Sequence, residues 1–284
     1  RFFIRKVSIL TCLAFLDLVP TVSYMNTVLN YFRNITFKES NMKKILLDAD
    51  MLAYRAAFAS EVETKWDEDT WTLTCKESDM KREVKAFMSN LAETMQSKDI
   101  VPVFSTSTNY RYGIWPDYKA NRKDKRKPVG LKWLIGWITE TYKGISEPNI
   151  EADDLIGILA TRDPKNTIAV SGDKDFETLP ITWYNPLKDE TKTTSPEAAR
   201  RFHLIQALAG DPADGYKGAK GVGIIGAKKL LDKDGYKWDT VVAAYEKAGQ
   251  TEEDALLNAR LAYILHDKDF NAKTKEITLW TPAK

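Results

Sequence analysis

Histidine and cysteine are nearly absent: two of each in 284 residues. Cys12 and Cys75 form no ligand pattern and no disulfide framework, which points to free thiols in a reducing cytoplasm. His203 and His266 both fall in helical patterns, where packing is the ordinary role, so a histidine-rich metal centre is excluded. Long apolar runs are missing as well. The opening stretch, residues 1–20, pairs basic letters with apolar ones, but Asp17 and Pro20 interrupt it and it is too short to span a bilayer. Residues 1–41 are read as an extension of uncertain status and are left out of the fold argument, because Met42 stands directly before the first convincing strand. Net charge is only +2, which excludes a uniformly basic or acidic protein.

What remains is a globular composition, 43% hydrophobic and 29% charged, with enough chain for one large or two small domains. Charge is segregated instead of absent. Asp117 to Lys132 carries seven cations against two anions, and Lys217 to Lys233 carries five lysines against one aspartate. Such strips are solvated faces in most proteins and nucleic-acid contacts in some.

From Met42 onward strand and helix alternate, the pattern of a mostly parallel sheet flanked by helices. Strands are expected at Ile45–Leu47, Ile100–Phe104, Thr167–Val170 and Ile181–Tyr184. Helices are expected at Asp79–Gln96, Val129–Tyr142 and Glu151–Ala160. After about Pro196 the reading is helical throughout: Glu197–Ala209, Ile224–Leu231, Trp238–Ala248 and Thr251–Leu265, with glycine-rich turns from Gly210 to Gly226. The expected division is an α/β core at 42–195 and a helical region at 196–284.

Four acidic clusters stand where ligands gather in an open parallel sheet, at strand ends and helix starts. Asp48 and Asp50 follow the first strand, and Asp173 and Asp175 follow a later one. Glu151, Asp153 and Asp154 open a helix, and Asp211 and Asp214 lie in the turn GDPADG. Each has an ordinary explanation. Acids in a first helical turn are favoured by the macrodipole, and acids in glycine- and proline-rich turns are common. The two Asp-x-Asp pairs are stronger, because strand alternation sends both side chains to one side. Two carboxylates about 4 Å apart in a shielded cleft repel by roughly 4 kcal/mol, so a converged set stays ionised only around cations. Oxygen-only ligation selects Mg²⁺ or Mn²⁺ over zinc.

The basic strips carry partners for phosphate. Tyr112, Trp115 and Tyr118 interleave with Lys119, Arg122 and Lys123, a mixture of cations and stacking surfaces suited to a nucleic-acid strand, although the aromatics fit a core equally well. Gly221 and Gly223 make a tight turn before a helix carrying Lys228 and Lys229, which lets backbone N–H groups approach a phosphate. Arg111 and Lys220 complete the candidate nucleic-acid set.

In order, LLDADMLAY, YKANRK, EADDLIG, SGDKDF and GDPADGYKGAKGVGIIGAKK resemble the 5′→3′ exonuclease and flap endonuclease family, especially its bacteriophage members, over about Lys43 to Leu231. The resemblance implies a PIN-like nuclease core, a helix-three-turn-helix for duplex DNA, and two divalent ions, Mg²⁺ or Mn²⁺. Carried over by position, Asp48, Glu151, Asp153, Asp154, Asp173 and Asp175 resemble metal ligands, with Asp211 or Asp214 supporting the second ion. Lys119 and Arg122 resemble the cations that contact the scissile phosphate, and Tyr54 the aromatic that stacks on a terminal base. The turn Gly221–Gly226 is similar to one whose carbonyls bind K⁺. Ser105 and Thr106 stand where the family places another aspartate, and Asp50 lies outside its set and is read as a supporting or capping residue. The implied partners are DNA with 5′ ends, flaps or nicks, and RNA–DNA hybrids, met by a monomer in the cytoplasm, that of a bacterial host if the chain is phage-encoded. Two competing readings are a haloacid-dehalogenase-like phosphatase with Asp48 as nucleophile, and a DNA-binding member of the nuclease family with weakened catalysis.

Overall fold

Ile45, Leu46 and Leu47 are an apolar run with no polar alternation because β1 (Lys44–Asp48) is covered on both faces and flanked by a parallel strand on either side. A computed structural model describes residues 43–283; the extension expected at 1–41, together with Cys12, lies outside the described residues. In chain order the elements are β1, α1 (Ala49–Ala59), β2 (Glu61–Lys65), β3 (Trp71–Cys75), α2 (Glu77–Met95), β4 (Ile100–Val103), the short α3 (Arg111–Ile114), α4 (Leu131–Tyr142), α5 (Ala152–Arg162), β5 (Thr167–Val170), β6 (Thr182–Asn185) and β7 (Glu190–Thr193). They continue with α6 (Pro196–Ala209), the two-residue strands β8 (Gly210–Asp211) and β9 (Tyr216–Lys217), α7 (Ile224–Asp234), α8 (Trp238–Lys247) and α9 (Glu252–Ala262).

The main sheet has the order β4-β1-β5-β6-β7, parallel except for the edge strand β7. Asp48 is in register with Val103, and Leu47 with Val170, so three neighbouring strands end at one edge. On one face α1, α2 and α4 bury Leu52, Val84, Met88, Leu134 and Ile138. On the other, α5 packs Ile156 and Ile158 against Leu46, Ala169 and Trp183. Gly157 is required there, since a Cβ on it would lie 2.5 Å from the carbonyl oxygen of Leu265. A third core joins α6, α7, α8 and α9 through Leu204, Leu208, Ala227, Leu231, Val241, Tyr245 and Ala255.

Four features differ from the sequence reading. Helix α1 begins immediately at Ala49, so Asp48 is both the end of β1 and the cap of a helix, its Oδ1 accepting from Met51 N at 3.3 Å. The antiparallel hairpin β2–β3 was not anticipated, and strands do occur beyond Pro196, as the small β8–β9 ladder. Helix α9 also ends at Ala262 instead of running to Leu265, because Tyr263 O is taken by Arg111 and Leu265 N by Asp154. That segment returns to the sheet: Tyr263, Ile264 and Leu265 share a core with Ile156 and Trp183. Among the described residues no helix is long and apolar enough to cross a membrane.

Candidate active site

Parallel strands deliver their C-terminal ends to one edge, and a cavity of about 420 Å³ opens there. Its lining includes Asp48, Asp50, Glu151, Asp153, Asp173, Asp175 and Asp214, together with Tyr54, Tyr118, Lys119 and Arg122. The Asp-x-Asp pairs do not converge through strand alternation, as the spacing suggested. Asp48 caps α1 and Asp50 sits in that helix's first turn; Asp173 caps the 3-10 turn Lys174–Thr178 and Asp175 lies within it. Tight turns at strand ends accomplish what the pleat was expected to do.

Burial and mutual repulsion make this set costly to ionise. Burial, with Asp50 and Asp173 nearby, pushes the Asp48 carboxyl up to about 6 although the Ser171 hydroxyl donates to it at 2.8 Å. Burial and Asp173 push Asp175 up to about 7, and burial with Asp48 and Asp173 drives Asp153 well above the usual carboxylate range. Asp50 is raised by burial too, with Glu151 adding and Ser105 and Lys119 opposing. Glu151 goes the other way: burial raises it, but Lys119 and Arg111 outweigh burial and hold it below its ordinary value.

Cations stand at the rim. Lys119 Nζ lies 2.5 Å from Glu151 Oε1 and 3.8 Å from Asp214 Oδ2, while Arg122 pairs with Asp214 Oδ1. Lys119 adopts a left-handed backbone, φ 56°, fixed by its N–H donating to Asp214 O at 2.9 Å. The chain thus strains a non-glycine residue to bring this ammonium against the acids. Lys123 is exposed beyond them.

The structure corrects several expected roles. Asp154, expected as a metal ligand, is fully buried: its Oδ2 accepts from Arg111 at 2.6 Å and from Glu151 N at 3.3 Å, its Oδ1 from Arg111 at 2.9 Å and Leu265 N at 3.1 Å. Four acceptor positions are filled, leaving nothing for an ion. Arg111, expected to meet nucleic acid, is the other half of that pair and also donates to Leu261 O and Tyr263 O, so no phosphate can reach a free face of it. Tyr118 is buried and offers no stacking platform; its hydroxyl lies 3.0 Å from both Glu151 Oε2 and Asp214 Oδ2 and orients them. Of the two acids in GDPADG, Asp214 lines the cavity, whereas Asp211 turns to Ala213 N and Lys174. Thr106 does not line it, and its hydroxyl donates to Thr108 O at 2.9 Å.

Two supporting residues escaped the sequence reading. Ser171, fully buried, holds Asp48 and also accepts from Asp173 N at 3.1 Å; it stood in the motif SGDKDF without being weighed. Gln206 of α6 donates to Asp175 Oδ1 at 2.5 Å, and nothing local in the sequence signals it.

Tyr54 is about one-third exposed at the cavity and packs on Phe58 with ring centroids 5.3 Å apart. Away from the acids, Gly221 has φ +80° and a Cβ there would meet nothing, so backbone conformation and not packing demands glycine. Gly223 caps α7, Gly226 lies in its first turn, and Lys220, Lys228 and Lys229 are exposed while Ala227 and Leu231 face inward.

Hard-cation chemistry fits this oxygen-only donor set. Among the described residues no three Asp, Glu, His or Cys side chains are gathered closely enough to hold an ion.

A mostly parallel sheet whose strand ends present a crevice of carboxylates rimmed by Lys119 and Arg122 defines a PIN-like phosphodiesterase. A family model described as 5′-3′ exonuclease, N-terminal resolvase-like domain, matches residues 43–202. The chain belongs to the 5′-3′ exonuclease family. It is 29% identical to the exonuclease of Escherichia phage T7 over 84% of this chain and 93% of that protein, and 28% identical to the exodeoxyribonuclease of Enterobacteria phage T3 over 84% and 92%. Its fold matches the flap endonuclease of bacteriophage T5, solved as a pseudo-enzyme-product complex with DNA and metal ions, with TM-score 0.57 and 14% identity over 77% of this chain and 88% of that one. The phosphatase reading of Asp48 has no support from these relationships.

Proposed function

We propose that this protein hydrolyses phosphodiester bonds at 5′ ends and 5′ flaps of DNA, using two Mg²⁺ or Mn²⁺ ions. The observation that carries the reading is the convergence of carboxylates from β1, α5, the turn after β5 and the β8–β9 turn on one cavity that Lys119 and Arg122 overlook. Asp48, Asp153, Asp173 and Asp175 would hold the ions, with Glu151 and Asp214 set beside them by Lys119, Arg122 and Tyr118. Bound there, the ions supply an activated water and stabilise the leaving 3′-oxygen. Lys119 and Arg122 counter the charge that builds on the phosphate. Tyr54 stacks on the terminal base. The turn before α7, with Lys220, Lys228 and Lys229, grips the duplex backbone without reading sequence, and Gly221–Gly226 provides carbonyls for K⁺. RNA strands in RNA–DNA hybrids are further substrates, and the protein works as a monomer in the cytoplasm of a bacterial host.

The test is cleavage of a 5′-labelled flap and a blunt duplex, with and without Mg²⁺. Mononucleotides identify end-trimming, and a discrete oligonucleotide identifies incision at the junction. Asp173→Ala and Asp175→Ala should abolish both while DNA binding persists. Cleavage that ignores divalent ions, or that survives in both variants, would overturn the metal assignment; DNA binding without any cleavage would favour the catalytically weakened reading.

A further inference from the structure

We infer that Asp50 is a direct carboxylate ligand for a divalent ion on the β4 side of the cavity. The inference rests on the metal-dependent reading above and adds a residue to its site.

Every other wall of the cavity carries an acid, but the segment after β4 is neutral. Ser105, Thr106, Ser107 and Thr108 follow Phe104, and three of their hydroxyls are engaged by backbone groups. Ser105 Oγ accepts from Ala152 N at 2.9 Å, Thr106 Oγ1 donates to Thr108 O at 2.9 Å, and Thr108 Oγ1 accepts from Asn149 N at 3.1 Å. A neutral wall beside several carboxylates leaves an ion on that side short of charged donors.

Asp50 reaches this wall from a different element. It projects from the first turn of α1, lines the cavity, and accepts from Ser105 N at 2.9 Å through Oδ2. A capping role does not account for that orientation. The side chain that caps α1 is Asp48, through Met51 N, whereas Asp50 bonds a backbone donor 55 positions further along the chain. Its hydrogen-bond partners among the described residues belong to Ser105 alone. An ionised carboxylate has about four acceptor positions, so the hydrogen bonds from Ser105 leave acceptor positions of Asp50 for the cavity it lines with Asp48, Glu151 and Asp153. The Ser105 N–H fixes the carboxylate as a supporting hydrogen bond fixes a ligand. The two acids of the motif DAD thereby serve two neighbouring walls.

Asparagine at position 50 keeps an oxygen for Ser105 N and removes the charge, which separates bracing of the loop from binding of an ion. The experiment is calorimetric titration of the full chain with Mn²⁺ alone, for wild type, Asp50→Asn and Thr106→Ala, with circular dichroism to establish that each is folded. Loss of a supporting hydrogen bond costs about 10- to 100-fold in metal affinity, and loss of a charged ligand at least that. Asp50→Asn is therefore expected to weaken one Mn²⁺ site at least about tenfold, to raise the Mg²⁺ concentration for half-maximal cleavage by a similar factor, and to leave the metal-free fold intact; Thr106→Ala should bind as wild type does. Wild-type Mn²⁺ affinity and stoichiometry in folded Asp50→Asn overturns the inference while leaving the nuclease reading standing. Absence of Mn²⁺ binding and of cleavage in the wild type overturns both. Should Asp50→Asn fail to fold, Asp50→Ser, which also removes the charge, is the deciding variant: Mn²⁺ affinity at least about tenfold weaker in the folded protein supports the inference, and wild-type affinity refutes it.

Discussion

Arg111 and Asp154 are locked in a two-pronged ion pair, 2.6 and 2.9 Å, in which the carboxylate is fully buried and the guanidinium nearly so. The pair ties α3 to α5 and, through Leu261 O, Tyr263 O and Leu265 N, holds the end of α9 and the chain after it against the core. It forms part of the support on which Glu151 stands.

Removing one partner of such a pair leaves an unbalanced buried charge, a loss of about 3–5 kcal/mol. Arg111→Ala should lose that much stability in urea unfolding. Asp154→Asn should also be destabilised, yet its folded fraction should bind Mn²⁺ within threefold of wild type. A stable Asp154→Asn protein that has lost metal affinity would return Asp154 to the ligands.

Lys119 is within 2.5 Å of Glu151 and held in a strained backbone, which marks it as a group positioned for charge. Lys119→Met should lower kcat by about 10²-fold, the usual effect of deleting a donor that meets developing charge, with KM changed far less. Single-turnover kinetics on a flap substrate checks this. A rate within threefold of wild type would leave Lys119 as a counter-ion for Glu151 only.

His203 lies buried in α6, its Nε2 2.8 Å from Ala259 O and its ring edge-on to Trp280 and Tyr263. Burial, with His266 nearby, pushes it down to about 4, below the ordinary value near 6.5 that applies in the unfolded chain. The unfolded state therefore takes up the proton first. The contribution is complete above about pH 6.5 and is lost as pH falls towards 4, on the order of 2 kcal/mol by pH 4.5. His203→Gln keeps the donor and cannot titrate. Relative to this variant, wild type should lose stability between pH 7.5 and 4.5; a gap independent of pH would show that His203 is not neutral in the fold.

Lys228 and Lys229 project from α7 beyond the glycine turn. Each phosphate contact contributes about 0.9 to the slope of log K against log salt on duplex DNA, so the double alanine variant should bind more weakly on every sequence with a slope shallower by up to about two. Fluorescence anisotropy across salt concentrations measures it. An unchanged slope would place the duplex elsewhere.

The alternation of apolar runs and helical periods was enough to read the parallel strands, because a strand buried on both faces shows as an uninterrupted apolar run. The glycine turn at Gly221 was legible for a comparable reason: a left-handed backbone favours glycine, and Gly221 has φ +80°. Helix α1 was not, since the motif LLDADMLAY passes from strand to helix with no glycine, proline or loop residue between them. Nor was the β2–β3 hairpin, which has no glycine turn and carries Trp66 and Trp71 exposed.

Residues 151–154 mark the division most sharply. Local sequence determined that four consecutive residues contain three acids at a helix start, a place that favours negative charge through exposed N–H groups. Only tertiary structure decided that Asp153 faces the cavity while Asp154 is sealed against Arg111. Adjacent residues on a helix of 3.6 per turn point about 100° apart, and which direction leads to water, ion or buried arginine is set by what packs there.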